Sequence, residues 1–175
     1  VKKEGTLRLL VEIASVSVVS VSIFLFCLHF LVKPFKVEGM SMEPLLHEGD
    51  RILVRRCFSP PDVKRGDLVV ISAPGGGYAV KRVAAVEGDE IEVFSGELFV
   101  NKRSEGRIVA GDGGVNNLSG RTTVKKGCVY LLGDNRSRSL DSRVWGAVPV
   151  EKIYGLPLMP GGFKYPRTAA PEKPR

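Results

Sequence analysis

The segment YAVKRVAAV (78–86) reads as a β-strand with a lysine set among apolar side chains. Its Val, Tyr and small residues suit a pleated, half-buried surface. Side chains alternate between the faces of a strand. Lys81 therefore shares a face with Ala79, Val83 and Ala85, and Arg82 shares the other with Tyr78, Val80 and Ala84. A lysine on an apolar face loses its water on folding, which disfavours the ammonium and lowers its pKa. A neutral amine can take a proton from a hydroxyl near neutral pH. The competing reading is a stem that packs while the charged end reaches the edge. The strand by itself leaves both open.

Working outward, similar segments recur: RILVRR (51–56), DLVVIS (67–72), EIEVF (90–94), ELFV (97–100) and CVYLL (128–132). Gly, Pro, Asp and Asn clusters separate them, and no helical period runs past residue 40. The fold class is mainly β. Residues 103–122 are polar and Gly-rich, an expected loop or insertion, and 164–175 hold three prolines, an expected disordered tail.

The N-terminal part differs. Ile13 to Val32 is a run of 20 residues without Asp, Glu, Lys or Arg. As a helix it reaches roughly 30 Å, the thickness of a bilayer core. Ser15, Ser17, Ser20, Ser22 and His29 dilute its hydrophobicity, but serine hydroxyls can bond back to the helix backbone. The exit, Leu31-Val32-Lys33-Pro34-Phe35-Lys36, lacks the small-x-small pattern of a cleaved signal peptide, and a buried soluble helix would show a polar face. The expected organisation is a short N-terminal segment (1–12), a transmembrane anchor (13–32) and a β-rich domain (37–160) carrying the 103–122 insertion. Similar Lys/Arg counts on the two sides of the span leave its orientation open, and the cytoplasmic placement of 1–12 follows only from the resemblance given below.

Charge narrows the function. The net charge is +7, but its excess sits in 1–36 and 161–175, while 37–160 is nearly balanced. No clustered basic face marks a nucleic-acid binder. Three cysteines without a CxxC spacing and two histidines argue against zinc-finger, thioredoxin and His-rich metal sites. Gly75-Gly76-Gly77 is not followed by GK[ST], so it is no phosphate loop.

A candidate nucleophile stands in GMSMEP (39–44), where Ser41 follows a conformationally permissive Gly39. A serine needs a base. His29 lies in the apolar span and His47 in a polar turn without an evident orienting acid, so a His-based triad has little support, and Lys81 stands as the other basic candidate. A turn serine bonding its own backbone is the plainer alternative. In GDNRSRSLDSRVWG (133–146), the acids and arginines Asp134/Arg136 and Asp141/Arg143 suggest ion pairs that fix a loop, structural only if partly buried.

GMSMEP (39–44), RGDLVV (65–70), KRVAAVEGD (81–89) and GDNRSRSLDSRVWG (133–146) resemble, in order and spacing, the type I signal peptidases, membrane-anchored serine endopeptidases with a Ser/Lys dyad. GELFVNKR (96–103) is similar to the stretch before that family's variable insertion. The resemblance implies a signal-peptidase-like β-barrel or sandwich domain behind one transmembrane helix. It implies Ser41 as nucleophile, Lys81 as general base, and Ser139 as the hydroxyl that orients the lysine. It implies ion pairs Asp141–Arg143 and Arg82–Asp134, and a Ser41 N–H in the oxyanion hole with Gly39 and Met40 in support. Gly39 stands where some bacterial members carry a second hydroxyl donor, as in Gram-positive-like members.

The expected activity is removal of signal peptides from translocated preproteins, with no metal or other cofactor. The expected partners are the preprotein's signal peptide and the lipid bilayer, with no nucleic acid. The expected protein is a monomer beside the secretion machinery, single-pass in a bacterial cytoplasmic membrane, with its catalytic domain outside. There Cys57 and Cys128 share an oxidising space, and their pairing stays open. The eight residues Lys33–Met40 reach at most about 29 Å, which tethers Ser41 near the bilayer surface. A self-cleaving repressor of the SOS type shares the dyad but has a DNA-binding head in place of an anchor, and an anchored non-enzymatic β module needs no Ser41–Lys81 contact. A mitochondrial processing peptidase is a close relative; the unbroken GDNRSRSLDSR looks more bacterial.

Overall fold

Pro34 marks the change from helix to sheet, because the residue before a proline is pushed out of the α region. In the computed structural model, which describes residues 2–95, 97–107 and 120–158, α1 (Lys2–Leu31) ends just before it. The chain forms two units, Val1–Lys33 and Pro34–Arg175. In the first, Arg8–Leu31 is long and apolar enough to cross a membrane. Ser15, Ser17 and Ser22 donate to the carbonyls of Glu12, Ile13 and Val18 at 2.8, 2.9 and 2.8 Å. Their hydroxyls are thus satisfied within the helix, as an apolar medium demands. The helix extends back to Lys2, beyond the expected start at residue 13, since Lys, Glu and Leu are good helix formers. Val32, expected as the last residue of the span, belongs to a strand instead.

Eleven strands follow among the described residues: β1 (Val32–Lys36), β2 (Arg51–Arg56), β3 (Leu68–Ser72), β4 (Tyr78–Ala85), β5 (Glu90–Phe94), β6 (Glu97–Val100), β7 (Arg103–Arg107), β8 (Arg121–Thr123), β9 (Cys128–Leu132), β10 (Val148–Pro149) and β11 (Ile153–Leu158). One short helix, α2 (Ser142–Trp145), precedes β10. A seven-stranded sheet has the order β1-β2-β11-β3-β4-β9-β10, and a four-stranded sheet the order β7-β6-β5-β8. The mainly β fold class expected from the strand pattern is what the chain adopts.

The alternation of apolar side chains places the core on both faces of the large sheet. Val69, Ile71, Val83, Val129, Leu131 and Ile153 pack together on one side. Met42, Leu46, Ile52, Val54 and Val70 pack on the other, so that a loop from the N-terminal side covers that face. Ala84, Ala85, Ile91, Leu98, Val100, Tyr130 and Leu132 form a third cluster shared by strands of both sheets.

Two local readings are corrected. Ala85 does not share a face with Lys81: the β4–β9 register shifts between Val83 and Ala85, and Ala84 and Ala85 both enter the third cluster. A bulge of this kind breaks the period of two. The expected loop 103–122 has strands at both ends, β7 and β8. These polar strands pair by backbone to β6 and β5, and Asn101 and Lys102, at φ 49 and 65, form the tight turn into β7. Residues 108–119 and the expected tail 164–175 lie outside the described residues.

Candidate active site

The loop between β1 and β2 carries Ser41. Its neck is closed by Val37 N–H donating to the Asp50 carbonyl at 2.8 Å and Gly49 N–H to the Val37 carbonyl at 2.9 Å. Met42 and Leu46 are buried and pin the loop to the sheet. Gly39 has φ +74, a left-handed conformation that a side chain would strain. The burial of Met42 on one side and the freedom of Gly39 on the other present Ser41, half-buried, at the surface of the sheet.

Lys81 arrives from β4, opposite Val69 of β3. It is 3% exposed, and its Nζ donates to Ser41 Oγ at 2.7 Å. Burial is the main cause that pulls its pKa from 10.5 down to about 8; Arg143 adds to the fall, and Asp141 and Asp134 oppose it. A hydroxyl against a desolvated amine is the pairing that proton abstraction and acyl transfer need. His47, the other basic candidate in this loop, is exposed, and its own N–H bonds the Asp50 carboxylate.

The segment after β9 braces this pair. Gly133 is where three stretches of chain meet: a Cβ there would stand 2.2 Å from Ser139 Oγ and 2.6 Å from the Ser41 carbonyl oxygen. Asn135 N–H donates to that same Ser41 carbonyl at 3.0 Å. Arg82 holds Asp134 with two bonds, 2.7 and 2.6 Å, and donates to the Gly66 carbonyl at 2.7 Å. Asp134 therefore pairs with Arg82 and not with Arg136, the neighbour first read from the sequence; Arg136 goes to Glu105 instead.

Asp141 is fully buried. Its carboxylate accepts from Arg143 Nε and Nη2 at 2.8 and 2.9 Å and from Gly133 N–H at 3.0 Å. Burial pushes its pKa up, but these donors outweigh burial and hold the carboxyl below its ordinary range. Arg143 Nη2 also donates to the Ser139 carbonyl at 2.9 Å, and Ser142 Oγ accepts from Leu131 N–H at 2.9 Å. The Ser139 hydroxyl is buried close enough to Asp141 to favour its charge, yet among the described residues it meets no partner in hydrogen-bonding geometry, Lys81 included. Met40 lies at the exposed lip, with Arg138 Nη1 3.1 Å from its sulfur.

The structure thus brings Ser41, Lys81, Arg82, Asp134, Ser139, Asp141 and Arg143 into one region. Gly133, Asn135 and Ser142 were not singled out beforehand. Only the close approach at Gly133 explains why glycine stands there, and a close approach leaves no pattern in a single sequence. Cys57 and Cys128 are free thiols.

A buried amine against a serine hydroxyl, beside the buried Asp141–Arg143 and part-buried Arg82–Asp134 ion pairs, is an arrangement able to support proton abstraction from the serine. The family model "Signal peptidase, peptidase S26" matches residues 10–160, and the chain belongs to that family. The chain is 36% identical over 143 residues to thylakoidal processing peptidase 1 of Arabidopsis thaliana, covering 71% of this chain and 40% of that protein. It is 33% identical over 137 residues to signal peptidase I V of Bacillus subtilis, covering 70% of this chain and 81% of that protein. A crystal structure of a signal peptidase I from Enterococcus faecalis aligns with TM-score 0.41 at 25% identity, over 56% of this chain and 98% of that one.

Proposed function

We propose that the chain is a membrane-anchored serine endopeptidase that removes signal peptides from translocated preproteins. The observation that carries the reading is the 2.7 Å contact between Ser41 Oγ and the buried Lys81 amine. Neutral Lys81 takes the Ser41 proton as Oγ attacks the scissile carbonyl. The Ser41 N–H helps to hold the oxyanion. Collapse breaks the C–N bond, Lys81 returns its proton to the leaving amine, and an acyl-enzyme ester remains. Lys81 then takes a proton from water, the hydroxide attacks the ester, and Ser41 is restored.

Asp141–Arg143 and Arg82–Asp134 act through the backbone they fix, and Ser139 through its position beside Gly133. The substrate binds extended, as an added strand with small side chains at the −1 and −3 positions of the cut. The division into a short N-terminus (1–12), an anchor and a catalytic domain belongs to the same reading, with a bacterial cytoplasmic membrane as location, the catalytic domain outside, and a monomer as the working unit. Cleavage of a full-length preprotein by wild type, with no cleavage by Ser41→Ala or Lys81→Met at equal folded amounts, is the expected result. Retained cleavage by either variant rejects that residue's role.

A further inference from the structure

The root of the polar insertion carries a carboxylate that reaches the active-site frame. Glu105, on β7, is clasped by two arginines distant in sequence. Arg65 Nη2 meets its Oε1 at 2.7 Å. Arg136 Nη2 lies 3.9 Å from its Oε2, and Arg136 Nη1 donates to the Glu105 backbone carbonyl. The Glu105 and Arg136 side chains are 19% and 23% exposed, so bulk solvent screens them less than it does a surface pair.

Arg136 faces the other way as well. Its Nε donates to the Gly133 carbonyl at 3.1 Å. Gly133 is the residue against which Ser41 and Ser139 press, and Asn135, two positions on, donates its N–H to the Ser41 carbonyl. A continuous set of contacts therefore runs from Glu105 through Arg136 and the 133–135 backbone to the residue bearing the hydroxyl.

We infer that Glu105 is a positioning residue: it keeps Arg136 on the Gly133 carbonyl and so holds the backbone on which Ser41 stands. The inference rests on the Ser41/Lys81 reading above. The charges around Arg136 supply the reason a carboxylate is required. Besides Glu105, the acids that act on it are Asp134 and Asp141, and Arg143 repels it. Asp134 is committed to Arg82 and Asp141 to Arg143. An Arg136 without Glu105 is drawn toward both and loosens the two clamps of the site. The insertion root is thus part of the frame of the active site.

The test uses the full chain in detergent and a peptide spanning a signal-peptide cut, with wild type, Ser41→Ala, Glu105→Gln, Glu105→Asp and Arg65→Gln, well below each melting temperature. Glu105→Gln is expected to lower kcat about tenfold with KM within about twofold, because nucleophile placement is lost while peptide contacts remain. Glu105→Asp is expected to recover most of kcat. Arg65→Gln, which leaves the Glu105–Arg136 contact in place, is expected to keep wild-type kcat. Amide exchange at Asn135, read without substrate, is expected to speed up in Glu105→Gln and not in Arg65→Gln. An unchanged kcat in Glu105→Gln, an equal loss in Arg65→Gln, or unaltered Asn135 exchange overturns the inference. Equal rates for wild type and Ser41→Ala overturn the reading beneath it, whatever the exchange result.

Discussion

Lys81 gives up hydration to face Ser41, and the cost is measurable. A fall from 10.5 to about 8 corresponds to a penalty on the order of 3 kcal/mol for the charged form when folded. Below about pH 8 the folded chain carries that penalty in full. From about 8 to 10.5 the unfolded chain binds the Lys81 proton more tightly than the folded one, so this group makes stability rise with pH. Lys81→Met keeps the apolar stem and removes the amine. It is expected to be inactive, and to melt several degrees higher than wild type at pH 7, with the gap narrowing toward pH 10. Thermal melts across that range check the sign; a variant less stable at pH 7 contradicts a desolvated lysine. Activity follows the same group: kcat/KM of wild type is expected to climb with pH and level off above about 8.

The 133–146 segment shows what an element contributes beyond its residues. Asp141 has no solvent exposure, and Arg143 beside it is nearly as buried. Removing one partner leaves the other buried and uncompensated, which costs about 3–5 kcal/mol. Asp141→Ala is therefore expected to lower the melting temperature by roughly 10 °C and to abolish cleavage. Gly133→Ala is expected to inactivate through the clash with Ser139 Oγ and the Ser41 carbonyl, checked by cleavage at matched folded fraction. The strands β2, β3, β4, β5, β6 and β9 were legible to within a residue, because runs of Val, Ile, Leu and aromatics bounded by turn residues mark them. β7, β8 and β11 were not: the first two are polar, and β11 (IYGLPL) contains Gly155 and Pro157, which depress strand signals. Lys81 was legible because its strand surrounds it with small apolar residues. Its contact with Ser41, 40 residues away, rests on pairings that one sequence does not display. The same is true of the Arg82–Asp134 pair, across 52 residues.

Over the whole molecule, the candidate site and the apolar helix belong to separate units. Every side chain of the candidate site lies within Pro34–Arg175, and the apolar helix within Val1–Lys33. A chain beginning at Val32 keeps β1 and all of these side chains. It is expected to fold, to cleave a short soluble peptide within about fivefold of the full chain's kcat, and to lose membrane fractionation. Loss of peptide cleavage in a folded truncated chain would show that the helix supplies part of the site. The most direct measurement is a pH titration of the Lys81 side chain by NMR, with the lysine carbon beside Nζ labelled, in the full chain. A midpoint near 8, matching the rise of kcat/KM, is the expected result. A midpoint near 10.5, as for a lysine in water, contradicts a base made neutral by burial.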